Sequence, residues 1–362
     1  MSSESADVEP IAPVELKVPT VGPSRPGTVP SRQVAWRLVR RPEVGPLVGA
    51  VLIYLLFLVT SRPGFVSLLG TASWLDEASV LGVLSVPIGL LMIAGEFDLS
   101  IGSMVGASSI IVAVGNSYYH LPIWLAIALA ILCGVLVGLL NGLLTVRTGL
   151  PSFIVTLAAL FMVEGAALGI SRAAINTSAM SVYVGGSANA VFGSSWDTFS
   201  VSIVWWVGAF ALASWVLHKT RFGNWIFATG GNVLSARSSG VPTSLVKVSL
   251  FVSTAVGASI VGILETMEYH GGDVTYGADF VFSAPVAAVI GGVLLGGGYG
   301  ATIGIMAGTA IYAIVSIGVN YTGINSDWTE LIIGVLMLYA VLANNFVRRA
   351  AMRSRSARSG QS

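Results

Sequence analysis

A chain of 362 residues that is 54% hydrophobic and only 10% charged, with a mean hydropathy of +0.84, cannot belong to the soluble globular class, where charged residues make up about a quarter. It is an integral membrane protein whose formal net charge of +1 says little by itself, because in a membrane chain the placement of charge carries the information. No nucleic-acid partner is expected.

Residues 1–31 hold six of the fourteen prolines, several acids and no apolar core, which predicts a disordered cytoplasmic tail. No apolar stretch follows a basic start, so it does not read as a signal peptide. Residues 32–44, with Arg32, Trp36, Arg37, Arg40 and Arg41, predict a basic segment at the membrane interface.

Residues 45–347 form the expected transmembrane domain. A span needs about 20 apolar residues. Ten apolar runs answer that description, at 45–60, 78–94, 99–115, 122–145, 151–170, 199–217, 247–266, 279–297, 300–319 and 328–347, the second and third being candidates for broken helices. Residues 348–362 complete the chain as a basic cytoplasmic tail. With the N-terminus inside, every Lys and Arg falls on the cytoplasmic side except Arg62 and Arg172, which is the positive-inside pattern and places both termini in the cytoplasm. The longest external loop, Arg172 to Phe199, is rich in Ser, Asn and Gly and suits either a partner or plain solvation.

The fold expected is all-α: a polytopic bundle of about ten transmembrane helices. Gly134, Gly138 and Gly142 recur every four residues in the fourth run, and Gly300, Gly304 and Gly308 do so in the ninth. Such ladders let helix backbones approach closely. The two lie five spans apart, and a unit with an odd number of crossings repeats upside down, which raises two inverted five-helix repeats.

Between the sixth and seventh runs lies TRFGNWIFATGGNVLSARSSGVP, Thr220 to Pro242, inside a cytoplasmic loop at 219–245. Gly230 and Gly231 read as a free turn, Asn232 as an N-cap, Val233 to Ser239 as about two helical turns, and Gly240 with Pro242 as the stop. The residues alone leave open an ordinary solvated connection and a docking element for a soluble partner.

Ionisable groups in or beside hydrocarbon are costly and tend to mark function. The segment Gly95-Glu96-Phe97-Asp98-Leu99-Ser100 carries two acids between apolar runs. Asp98 suits a cap for a helix beginning near Leu99; Glu96 has no such role and stays open. Glu164 stands in the fifth run, where pairing with a neighbouring helix competes with a place on a translocation path. Glu265 and Glu268 lie near the outer end of the seventh, and Asn141 and Asn320 near span ends. Cys133 is the sole cysteine, so an intrachain disulfide and a thiolate cluster are excluded, and His120, His218 and His270 lack ligand spacing. There is no GxxxxGK[ST] motif and no nucleophile elbow, so neither an enzyme nor an ATP site is expected in this chain.

Five stretches in register carry a resemblance: AGEFDLSIGS (Ala94 to Ser103), GVLVGLLNGLL (Gly134 to Leu144), LPSFIVTLAALFMVEG (Leu150 to Gly165), TRFGNWIFATGGNVLSARSSGV (Thr220 to Val241) and APVAAVIGGVLLGGGYGATIG (Ala284 to Gly304). They cover nearly all of the membrane portion. The chain resembles the permease subunits of bacterial ABC importers for monosaccharides and related polyols, the ribose and xylose permease type. It departs from the pattern at Glu96-Phe97, where relatives read GGIDLS, at Glu164, where a basic residue often precedes the glycine, and in the unmatched N-terminal tail.

The resemblance implies the following. The chain sits in the bacterial inner membrane, pairs with a second permease copy or paralogue, and receives solute from an extracytoplasmic sugar-binding protein. An ABC ATPase subunit binds ATP and Mg, and this chain holds no cofactor or metal. The 219–245 loop supplies a coupling helix that docks into the ATPase through Gly230, Gly231, Asn232, Ala236, Arg237 and Gly240. Glu96, Asp98, Ser100, Asn141 and Glu164 are candidates for the translocation path. A branched-chain amino-acid permease of the same kind and an ion-coupled secondary transporter, with Glu96, Asp98 and Glu164 as proton or sodium sites, are the competing readings.

Overall fold

The computed structural model describes residues 43–342 except 62 and 184, so the expected tails at 1–31 and 348–362, nearly all of the basic segment 32–44 and the end of the tenth run lie outside the described residues. Within hydrocarbon a backbone N–H or C=O finds no water, so apolar runs fold onto their own hydrogen bonds. The resulting order is α1 (Val44–Thr60), α2 (Leu68–Ile93), α3 (Ile101–Ala113), α4 (Ile123–Thr148), α5 (Ser152–Ile175), β1 (Ala179–Ser181), α6 (Gly186–Phe192), β2 (Ser195–Trp196), β3 (Phe199–Ser200), α7 (Ser202–Lys219), α8 (Arg221–Gly231), α9 (Val233–Ser238), α10 (Thr243–Glu268), β4 (Gly271–Asp273), α11 (Phe280–Ile290) and α12 (Thr302–Thr322). Residues 329–342 form α13.

Among the described residues six helices are long and apolar enough to cross a membrane: α2, α3 continued through a wider π turn at Val114–Tyr118, α4, α5, α10 and α12. The 26 residues of α2 extend about 39 Å at 1.5 Å per residue, more than the hydrocarbon thickness. The eighth apolar run, expected as one span over 279–297, departs from that reading. Its helix stops at Ile290, where Gly292 takes a left-handed backbone angle (φ +87°), and residues 291–301 are irregular, with Gly297 and Gly298 left-handed as well (φ +76° and +73°).

Helix α2 forms the centre: 89% of its apolar window is buried, against 28% for α4 and 22% for α5, whose outer faces stay open. Helix α10 packs on α4, α3 and α2, and α12 on α2, α1 and α11. The first glycine ladder explains the closest of these approaches. A Cβ on Gly134 would lie 2.2 Å from the Ser259 hydroxyl, one on Gly138 2.5 Å from the Phe251 carbonyl and one on Gly142 2.8 Å from Val248 Cα, so α4 and α10 touch along their backbones. In the second ladder Gly304 and Gly308 do the same for α12 against the end of α11, where an added Cβ would lie 2.1 Å from the Gly291 carbonyl and 2.0 Å from the Ala287 carbonyl, while Gly300 precedes the helix and lies against Ile93.

Two small ribbons close the end of the bundle where α5 finishes. β1 pairs antiparallel with β4, Ala179 opposite Asp273 and Ser181 opposite Gly271, and β2 pairs with β3. At the opposite end lie the breaks at 94–100 and 291–301, together with α8 and α9.

Candidate functional site

The break between α2 and α3 is a turn at Ala94 and Gly95 followed by an irregular stretch at 96–99, held from two sides. The N–H groups of Ala94, Gly95 and Glu96 bond back to carbonyls of α2, and beyond them neighbouring side chains must supply the bonds. On α5, Ser152 and Thr156 stand four residues apart and face it together: the Phe97 N–H donates to Ser152 Oγ (3.0 Å) and the Leu99 N–H to Thr156 Oγ1 (3.1 Å). On the other side Glu96 and Asp98 meet α10. Lys247 forms an ion pair with Glu96, and the Thr254 hydroxyl donates to Asp98 Oδ2 at 2.6 Å.

Asp98 is 1% exposed. Its Oδ1 accepts from the Ser100 N–H (2.9 Å) and the Ser100 hydroxyl (2.6 Å), and that hydroxyl accepts from Asn141 Nδ2 on α4 (2.8 Å). The carboxylate thus joins α4, α10 and the start of α3. The expected cap is one residue pair out of place: α3 begins at Ile101 rather than near Leu99, and Asp98 caps Ser100, the residue that precedes the helix. Asn141 Oδ1 and, one turn along α4, Thr145 Oγ1 are buried without a partner among the described residues.

The structure brings Glu96, Asp98, Ser100 and Asn141 together and leaves Glu164 out. Glu164 faces outward from α5, beside exposed Phe161 and Met162, and makes no hydrogen bond or ion pair among the described residues. Partners that sequence reasoning missed are Lys247, Thr254, Ser152 and Thr156. Only the last two left a local signal, the four-residue spacing of hydroxyls at the start of an apolar run.

The loop expected between the sixth and seventh runs is two helices. Helix α8 is amphipathic, capped by the Thr220 hydroxyl on the Gly223 N–H (3.3 Å), with Ile226 fully buried. Gly230 and Gly231 end that helix and do not form a free turn. A Cβ on Gly230 would lie 1.8 Å from the Ile93 carbonyl and 2.6 Å from the Gly298 N–H, whereas one on Gly231 would meet nothing within 4 Å. The turn falls on Asn232, whose side chain accepts from the Ser235 N–H (2.9 Å) and caps α9. Gly240, at φ +80°, follows the end.

On α9, Ala236, one of the expected docking residues, is 5% exposed and packs inside the chain. Arg237 donates from Nε to Thr243 Oγ1 (2.9 Å), the first residue of α10. The exposed face carries Leu234, 75% exposed, with Ser235, Ser238 and Ser239.

At the far end acids gather between α2 and α10. Asp76 accepts from Ser202 Oγ (2.8 Å). The phenol of Tyr269, just beyond α10, is pushed above its ordinary range by partial burial and then by the charges of Glu265, Glu268, Asp76 and Glu77. Asn320 lies exposed near the end of α12, and its side-chain amide donates to the Ser316 carbonyl one turn back. No group of acids, His or Cys among the described residues is arranged to hold a metal ion.

Residues 70–341 match a protein family described as the permease component of branched-chain amino acid transport systems. Among curated proteins the chain is 32% identical over 316 residues to the probable ABC transporter permease protein YphD of Escherichia coli, covering 86% of this chain and 92% of that one. It is 30% identical over 321 residues to the galactose/methyl galactoside import permease protein MglC of Escherichia coli (82% and 92%) and 28% identical over 303 residues to its ribose import permease protein RbsC (82% and 92%). No solved structure matches the chain.

Proposed function

Since the chain belongs to this permease family of ABC transporters, we propose that it forms the translocation path of an ATP-driven importer for a monosaccharide or sugar alcohol, working by alternating access. The observation that carries the solute class is the similarity to permeases named for ribose and galactose, which runs through 82% of this chain and 92% of theirs. The family description favours a second reading, a branched-chain amino-acid permease.

In this reading the chain crosses the inner membrane ten times, with 94–100, α8 and α9 on the cytoplasmic side and the β1–β4 ribbon outside. Two inverted five-span repeats are supported by packing that exchanges between halves: α4 on α10 in one sense and α12 on α2 in the other, with α3 on α4 answered by α11 on α12. The proposed partners are an ATPase subunit that binds ATP and Mg, a second permease copy or paralogue, and an extracytoplasmic binding protein. Helix α9 docks into the ATPase, with Leu234 as the apolar anchor and Arg237 beside it. Asp98, Ser100 and Asn141, linked by hydrogen bonds through the Ser100 hydroxyl and sealed from solvent, hold the broken helix in shape; Glu164 is the acid free to meet solute or a second copy.

The test is reconstitution with the cognate binding protein and ATPase. ATP hydrolysis stimulated by pentoses, hexoses or polyols supports the sugar reading, stimulation by leucine or valine alone supports the second, and uptake undiminished without nucleotide removes both.

A further inference from the structure

Lys247 and Glu96 form the single ion pair among the described residues, and both are largely buried, at 15% and 10% exposed. Replacing a buried ion pair by apolar side chains is often neutral or stabilising, so stability alone is a weak reason for one to stand here. Its position supplies a stronger one. Arg237 on α9 holds Thr243 at the start of α10; one turn later Lys247 holds Glu96, and two further turns on Thr254 holds Asp98. A helix is stiff along its axis, so displacement at Thr243 arrives at Lys247, whereas the non-helical segment 94–100 follows the side chains of α5 and α10 that hold it. Behind it, Gly230 at the end of α8 lies so close to the Ile93 carbonyl that no Cβ would fit between them. The polar segment is therefore gripped at both ends by the elements that flank α9.

We propose that Glu96 and Lys247 are positioning residues for transport: their ion pair is the link by which movement of α9 and the start of α10 reaches the 94–100 segment and shifts it between the two access states. This rests on the reading of α9 as the ATPase-docking helix.

The test uses the full chain in complex with the ATPase that copurifies with it, in lipid nanodiscs, with Cys133→Ala and Ser103→Cys as the reporter beside the segment. Labelling by a charged methanethiosulfonate reagent is timed without nucleotide and with ATP plus vanadate. The expected result is a change in labelling rate of about tenfold between the two states, lost in Glu96→Gln and in Lys247→Gln although the ATPase still copurifies, and recovered in the exchanged pair Glu96→Lys with Lys247→Glu. Where a single variant fails to fold, the doubly neutral Glu96→Gln with Lys247→Met, which strands no charge, decides: loss of the nucleotide response supports the link. A response that persists in these variants, no response in the reporter background, or an exchanged pair no better than the singles overturns it. Leu234→Asp separates the two ideas, since release of the ATPase by that variant supports the docking reading and full retention refutes docking while leaving the labelling result to judge the pair.

Discussion

Substituting Thr254 by valine keeps the shape of a fully buried side chain and removes one hydroxyl. That hydroxyl is the donor to Asp98 Oδ2 at 2.6 Å, while Oδ1 keeps both bonds from Ser100. One oxygen of a carboxylate that is 1% exposed is then left without a donor, and the cost of stranding a buried charged acceptor is about 3 kcal/mol. Thr254→Ser is the control, since it keeps the donor and deletes one methyl at about 1 kcal/mol. At about 2 °C per kcal/mol for a chain of this size, thermal midpoints should fall by about 6 °C and about 2 °C respectively. Cys133, free and partly buried, supplies the assay: a thiol-reactive dye added to purified protein in detergent reports unfolding as the residue becomes accessible. Asp98→Asn should recover about half of the loss in the Thr254→Val background, because an amide no longer buries an unpaired charge. A valine variant within 1 °C of the serine variant, or no recovery in the double, would refute the account of Asp98 as a carboxylate held by its donors.

Gly230→Ala should destabilise by about 2 kcal/mol or more, since its Cβ would sit 1.8 Å from the Ile93 carbonyl, while Gly231→Ala, with nothing within 4 Å, should be neutral or slightly stabilising; the same dye assay ranks them. Gly138→Val should force α4 from α10, where Phe251 O lies 2.5 Å and Val252 Cα 2.6 Å from the new carbon, and cost about 3 kcal/mol, whereas Gly169→Ala on the open face of α5 should leave the midpoint unchanged. In a Cys133→Ala background, Ser239→Cys should be labelled by a membrane-impermeant thiol reagent only from the cytoplasm and Tyr183→Cys, whose parent side chain is 90% exposed, only from outside. The reverse pattern would invert the proposed orientation.

Local chemistry was legible from the residues and long-range chemistry was not. Asn232 and Gly240 bracket α9 as their capping roles require, because a cap depends only on the next few residues. Gly230 looked like a hinge for the same reason that it is not one: glycine serves both a turn and a close approach, and the Ile93 carbonyl that decides between them lies far away in sequence. The partner of Glu96 was hidden likewise, since Lys247 at the edge of an apolar run reads as one more positive residue at the membrane surface. Composition also failed to show that the run from 279 ends its helix at Ile290, because apolar character is shared by a helix and by a glycine-rich loop buried under its neighbours. The hydroxyls of Ser152 and Thr156 came nearest to being readable, as a polar pair on one face where hydrocarbon was expected.

The ribbon of β1 and β4 fastens the far ends of α5 and α10 by main-chain bonds, Met180 opposite Gly272 at its middle. Bonds of that kind are blind to residue type. The exposed side chains of this clasp, Ala179 and Ser181, can therefore change without loosening it, whereas Gly272, whose added Cβ would lie 2.5 Å from the Ser109 carbonyl, cannot.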